Sequence, residues 1–260
     1  MEIATPSTTA TNSVLQALPP ADHQRLLAHS EHVSLIYGEV LCEPGNAIPY
    51  VYFPHDGSIS LLTPVDGHAS MEVGLVGREG MAGMGLFLGS RISPVRMLVQ
   101  GAGSAARMHA NAFRQEMQRN PTLQRGLSRY LYTFMAQVAQ TAVCNRHHLL
   151  EKRLARWLLM THDRAPANEF HLTQEFLAHM LGVRRVGVTG AARQLQEQAL
   201  ISYRRGHIII HDRPGLERAS CRCYRDVNTI RDRMVDEEWA VSREGEEEEA
   251  SAVLAGQLHP

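Results

Sequence analysis

No stretch of this chain stays apolar for the roughly 18 residues that a membrane-spanning helix needs, so no membrane partner is expected. Lysine is almost missing: Lys152 stands alone among 26 basic residues. It follows no glycine-rich turn, which leaves no phosphate loop of the P-loop type. Cysteines number four, Cys42, Cys144, Cys221 and Cys223. That is sparse for a disulfide framework and fits a reducing cytoplasm. The opening MEIATPSTTATNS lacks both a basic start and an apolar core. It reads as a disordered lead-in over residues 1–13, not a secretory signal. A nucleophile with a positioned His and Asp cannot be assigned, so no catalytic residue and no enzyme is expected.

What is present is unevenly placed. The formal net charge is −1, which by itself says nothing about nucleic acid. Residues 146–213 hold eleven Lys/Arg against six Asp/Glu, residues 1–145 nine against ten, and residues 214–260 six against eleven. A basic module between a near-neutral half and an acidic tail suits a DNA-binding domain attached to a domain of another kind. The 260 residues fit two domains, and 44% hydrophobic content can build a core in each.

The basic module has the most specific pattern, from Leu172 to His211. Thr173 is a good N-cap, because its hydroxyl can satisfy a free amide of a first turn. Phe176, Leu177, Met180 and Leu181 then form one apolar face at helical spacing. Gly182 sits where that helix must stop, since glycine takes the left-handed conformation cheaply. Val188, Ala192, Leu195 and Ala199 give a second helix its own stripe. Tyr203 to His207 reads as a strand ending in a tight turn, and Ile208 to Ile210 as the return strand. Two helices about a glycine followed by a basic hairpin are the layout of a winged helix-turn-helix. Double-stranded DNA is therefore the expected partner, through Thr173, Gln174, Arg184, Arg185, Thr189, Arg193, Arg204 and Arg205. An ordinary helical hairpin with solvated arginines would share the helices but not the basic wing.

The first half has another grammar. Val40-Leu41, Tyr50 to Phe53, Ile59 to Leu62, Met71 to Val76 and Val95 to Val99 read as short strands, with turn signals such as Pro44-Gly45-Asn46 and Asp56-Gly57 between them. Such spacing predicts a small antiparallel roll, with a helix near Ala21–Ala28 at its end. A long helix starts at Asn120-Pro121, Asn as cap and Pro at the first helical position. Leu127, Leu131, Phe134, Val138 and Thr141 follow at 4-3-4-3 spacing, the first four forming the seam expected of a coiled-coil dimer. A core helix packed on its own roll would show the same stripe. The dimer is favoured because a helix-turn-helix protein usually reads two half-sites.

These parts, in this order, resemble the Crp/Fnr family of bacterial transcription regulators over about residues 14–235. The most specific blocks are Tyr52-Phe53-Pro54 with Gly57-Ser58-Ile59-Ser60-Leu61, Gly80-Met81-Ala82-Gly83 before Leu86-Phe87, and Leu181-Gly182-Val183-Arg184-Arg185 through Leu200-Ile201. The resemblance implies an α+β fold: an N-terminal antiparallel β-roll like a cyclic-nucleotide-binding domain, a long central dimerisation helix and a C-terminal winged helix-turn-helix. The expected boundaries are 14–112 for the roll, 113–147 for the dimerisation region, 148–214 for the DNA-binding domain, 215–235 for a C-terminal helix and 236–260 for a disordered acidic tail. It also implies a cytoplasmic homodimer that works with RNA polymerase.

Departures from the family pattern matter. Cyclic-nucleotide-binding members use a Glu for the ribose and an Arg for the phosphate. Here the Glu position falls on Gly83 or Met84, while Arg91 and Arg96 flank the Arg position out of register. Gly80, Met81, Gly83, Met84, Arg91 and Arg96 are the candidate effector pocket, with cyclic nucleotides expected to bind poorly and the effector unidentified. An iron–sulfur cluster needs more than Cys42. On the second helix Arg185 matches the family's first base-reading Arg, but Val186 and Gly190 replace the other readers. Cys221-Arg222-Cys223 and Cys144-x-x-His147-His148 carry ligand-type residues at tight spacing. Neither has a matching second half, so each reads as structural or incidental, and no metal or cofactor is expected. The alternative, a cupin-like metalloenzyme or protein-binding scaffold fused to a DNA-binding module, finds no His-x-His pair in the roll for metal chemistry.

Overall fold

The computed structural model describes residues 11–65, 68–165 and 167–234. The acidic tail, including Trp239 and the run Glu246–Glu249, lies outside them. Order begins earlier than a lead-in over residues 1–13 would allow. Asn12 is fully buried, its Nδ2 donating to the carbonyls of Pro54 at 3.0 Å and Gly80 at 2.7 Å. Its Oδ1 caps helix α1 (Ser13–Gln16) by accepting from Val14 N. Helix α2 (Pro20–Ala28) follows.

Two antiparallel sheets make the roll. One has the order β1 (Ser30–Leu35), β7 (Gly103–His109), β3 (Tyr50–Pro54). The other runs β2 (Val40–Cys42), β6 (Arg96–Gly101), β4 (Ser58–Val65), β5 (His68–Val76). Strands β1 and β7 had no clear signal in the sequence, because SEHVSL and GSAARMH carry few large apolar residues. Between the sheets lie Val51, Phe53, Ile59, Met81, Met97, Val99 and Met108, each no more than 1% exposed. Phe113 on α3 (Ala110–Arg119) closes the end.

Strand β4 explains how the two halves meet. Its first five residues are all buried, although period-2 alternation sends successive side chains to opposite faces. Ile59 and Leu61 enter the roll core, whereas Leu62 joins the core of the C-terminal half, as does Leu75 of β5. On the outer side, β5 packs on the helix over residues 174–181, and Trp157 of α5 (Leu150–His162) joins the same core with Leu62 and Leu75. A buried polar chain crosses there. Ser60 Oγ donates to Glu72 at 2.6 Å, Trp157 Nε1 donates to Glu72 at 2.9 Å, and Gln100 Nε2 donates to Thr161 at 3.0 Å. Arg164, itself buried, donates from Nε to Glu79 at 2.9 Å.

Helix α4 (Pro121–His147) joins the halves, with Asn120 Oδ1 accepting from Leu123 N at 2.8 Å as the cap and Pro121 at the first turn. The rest runs β8 (Glu169–His171), α6 (Gln174–Leu181), α7 (Arg185–Glu197), β9 (Ile201–Arg204), β10 (His207–Ile210) and α8 (Arg213–Ala219). A last helix, α9, covers residues 223–234. The single C-terminal helix expected over 215–235 is thus two, parted at Ser220–Arg222. Pro214 starts α8, and Asp212 caps it through Gly215 N at 2.9 Å. No helix among the described residues is long and apolar enough to cross a membrane.

Candidate DNA interface and the central helix

The helix-turn-helix forms as its local chemistry requires. Thr173 Oγ1 accepts from Phe176 N at 3.1 Å and caps α6. Gly182 ends α6 at φ +62, and Val183 N bonds back to Ala178 O at 2.9 Å. Helix α7 then buries Val188, Ala191, Ala192 and Leu195. The stripe expected to continue to Ala199 stops short, because α7 ends at Glu197 and Ala199 is exposed in the left-handed region at φ +56. That turn lets Leu200 N reach Leu195 O at 3.1 Å and directs the chain into the wing.

The outer face of α7 is open. Arg184 is its N-cap residue, Arg185 its first helical residue, and both are exposed along with Thr189. Thr189 Oγ1 donates to Gln174 Oε1 at 2.9 Å, so these two polar candidates are tied together across the helix pair. Arg193 is exposed but pairs with Glu197 at 2.8 Å, which engages its guanidinium within α7. Val186, which stands where the family has a base reader and was not among the expected DNA contacts, is 76% exposed. An uncovered β-branched residue at the start of a recognition helix is the signal that could have found it.

The wing is a three-stranded sheet of order β8-β10-β9. Arg204 pairs with His207 across a two-residue turn of Arg205 and Gly206, both at positive φ, +53 and +83. That is the primed turn that matches strand twist. It holds Arg204 and Arg205 exposed at the tip. Behind it, burial raises the Tyr203 hydroxyl to about 12, and that hydroxyl donates to Leu172 O at 2.6 Å, fixing the wing to the start of α6.

Residues 152–219 match the Crp-like helix-turn-helix domain. The chain is a DNA-binding transcription regulator with a Crp-like helix-turn-helix domain. Solved structures share the regulator's fold across most of its length. The c-di-GMP-responsive global regulator CLP of Xanthomonas campestris is 18% identical, with 74% of this chain and 99% of that one covered at a TM-score of 0.59. FixK2 of Bradyrhizobium japonicum is 14% identical, with 74% and 98% covered at 0.62. A Crp/Fnr-family transcriptional regulator of Thermus thermophilus is 19% identical, with 73% and 98% covered at 0.58. No curated protein matches the sequence.

The regulator's central helix buries part of the expected dimer seam within the chain. Leu127 and Phe134 are 1% and 8% exposed, covered by the chain's own roll. Phe134 lies over Gly74, where a Cβ would meet its ring, and Tyr130 lies over Gly80 in the same way. Gln137 adds a strand-like partner to the edge of β5, accepting from Leu75 N at 2.7 Å and donating to Leu75 O at 3.2 Å. Leu131 and Val138 sit half-buried on the flanks. Leu127, Phe134 and Val138 of the 4-3 stripe thus pack against the chain's own roll. A neighbouring face bears Tyr132, Met135 and Val143, 58%, 62% and 48% exposed, with exposed Ala139 and Ala142 between them.

The expected effector residues do not share one environment. Met81 is fully buried in the roll core, Gly80 lies under Tyr130, and Met84 packs half-buried on the same core. Gly83, at φ +92, starts the 3-10 turn Met84–Leu86. Arg91 is exposed, and Arg96 pairs with Glu43 at 2.8 Å on the surface. The two cysteine motifs, by contrast, come together. Cys144 at the end of α4, His148 just after it, and Cys221 and Cys223 before and at the start of α9 have their ligand atoms within 4.8 Å of one another. Each motif is the second half that the other lacked.

Proposed function

We propose that this regulator binds DNA as a homodimer, each subunit placing α7 in a major groove of a two-fold-related site. The observation that carries the reading is the exposed start of α7, with Arg184, Arg185 and Val186 uncovered beside a wing tip bearing Arg204 and Arg205. Arg185 reads a guanine edge, where a guanidinium can bond both O6 and N7, and Val186 meets a thymine methyl. Arg204 and Arg205 contact phosphate and set the register. Gln174 supports Thr189 at the groove, and Thr173 positions α6 against the backbone. Arg193 contributes only if its pair with Glu197 opens.

The second subunit packs along Tyr132, Met135, Ala139 and Val143 of α4. Supporting this are their exposure and 3-4-4 spacing, together with the two half-sites that helix-turn-helix dimers read. Contact with RNA polymerase rests on the family resemblance, and the DNA ligand makes the cytoplasm the compartment. The roll works without a cyclic nucleotide, because Tyr130 overlies Gly80 and Arg96 is held by Glu43.

Selection of binding sites from a random duplex pool, followed by footprinting, tests this reading. It should yield a pseudo-palindrome whose half-sites lie about 10 base pairs apart or a multiple of that. Recovery of a single asymmetric site, or of no enriched sequence, would refute it.

A further inference from the structure

None of the proposed DNA contacts belongs to the cluster of Cys144, His148, Cys221 and Cys223. Cys144 Sγ stands 3.4 Å from Cys221 Sγ, and His148 Nδ1 stands 3.5 Å from Cys223 Sγ. The three cysteines are 1%, 5% and 3% exposed and form a buried cluster of their own. We propose that Cys144, His148, Cys221 and Cys223 bind one zinc ion, as a Cys3His structural site between the central helix and the C-terminal segment.

The donor set fits that ion. Zinc takes four ligands tetrahedrally, with sulfur at about 2.3 Å and imidazole nitrogen at about 2.0–2.1 Å, which sets ligand atoms about 3.5–3.8 Å apart. The observed spacings surround that range, so small rotamer shifts close the site. An iron–sulfur cluster needs its cysteines spread over separate irons, wider than a group within 4.8 Å allows. A Cys144–Cys221 disulfide would use two of the four groups and leave Cys223 beside His148 with no role.

Local structure supplies the four groups for different reasons. Cys144 and His148 are four residues apart, one helical turn, and His148 N still donates to Cys144 O at 3.1 Å. Cys221 lies in the break between α8 and α9, and Cys223 opens α9. Three thiolates and one zinc ion carry a net −1, which needs a cation nearby. Arg156 provides it: its guanidinium is buried, its charge favours the thiolate at all three cysteines, and its Nε has no hydrogen-bond partner. Binding releases the thiol protons to solvent. The ion then fastens the far end of the DNA-binding half to the helix that carries the proposed two-fold contact.

The test uses the untagged full-length protein purified from zinc-supplemented cells. Elemental analysis should find about one zinc ion per chain. Cys42→Ser, which alters the cysteine outside the cluster, should keep it, whereas Cys221→Ser and Cys223→Ser should lose at least ten-fold in retained zinc. Zinc-edge X-ray absorption on the wild type should report three sulfur ligands and one nitrogen, and it decides the matter even if the serine variants misfold. Zinc with only nitrogen and oxygen ligands would overturn the proposal. So would a metal-free chain with four reactive thiols, an intact-mass deficit marking a disulfide, or equal loss of zinc in Cys42→Ser.

Discussion

At the scale of single residues, Val186 and Glu72 make different demands on experiment. Val186 is exposed at the start of α7, where its methyl groups are free to meet a thymine methyl. Val186→Ala should relax the preference for thymine at one position of each half-site while leaving the guanine read by Arg185 intact. Comparison of selected sites for the two proteins checks this; an unchanged base profile would contradict it. Glu72 is buried between the roll and α5. Burial raises its carboxyl from 4.5 to about 7, against the opposing hydrogen bonds from Ser60 and Trp157. Between those two values the folded protein keeps a proton that the unfolded chain releases. Stability therefore falls as pH rises through this window, by up to about 1.4 kcal/mol per unit, and levels off above it. Glu72→Gln keeps an acceptor for Trp157 and cannot ionise. Its stability relative to the wild type should rise from pH 5 to pH 7.5 in urea unfolding, and a constant difference would show that Glu72 does not titrate in that range.

At the scale of elements, legibility followed the reach of the forces involved. Caps and stops are local, so Thr173, Gly182 and Asn120 could be read directly from the sequence and hold the positions expected of them. The Arg205-Gly206 turn belongs to the same class. The 4-3 stripe of α4 was visible too, but an intramolecular face and a dimer seam share that period. What separates them is the bond pair from Gln137 to Leu75 and the fit of Phe134 over Gly74, contacts about 60 residues apart in sequence. The cluster of Cys144, His148, Cys221 and Cys223 was hidden for the same reason: its halves lie 77 residues apart and meet only in the fold. The helix faces yield a direct contrast. Tyr132→Glu with Met135→Glu should give a folded monomer in sedimentation equilibrium, whereas Phe134→Ala should cost about 3–5 kcal/mol of stability as a buried aromatic. If the double variant remains dimeric, the exposed face of α4 is not the contact.

At the scale of the whole molecule, the roll and the DNA-binding half share strands β4 and β5, one face for each core. A change in the roll can therefore reach α5 without a flexible linker between them. The candidate effector residues of the roll do not converge on a charged pocket, with Arg91 exposed and Arg96 paired to Glu43, so cyclic AMP and cyclic GMP should bind no tighter than millimolar, about −4 kcal/mol. Calorimetry showing low-micromolar binding would contradict that, and release of Arg96 from Glu43 would be the first explanation to examine. The central claim is that α7 reads bases while the wing holds phosphate. It is tested most directly by titrating the selected operator at several salt concentrations with the wild type, Arg185→Ala and Arg205→Ala. Arg185→Ala should lose about 1–3 kcal/mol per half-site together with its base preference. Arg205→Ala should weaken all sequences alike and reduce the salt slope by about one per contact. If Arg185→Ala leaves affinity and base preference untouched, α7 is not the reading helix.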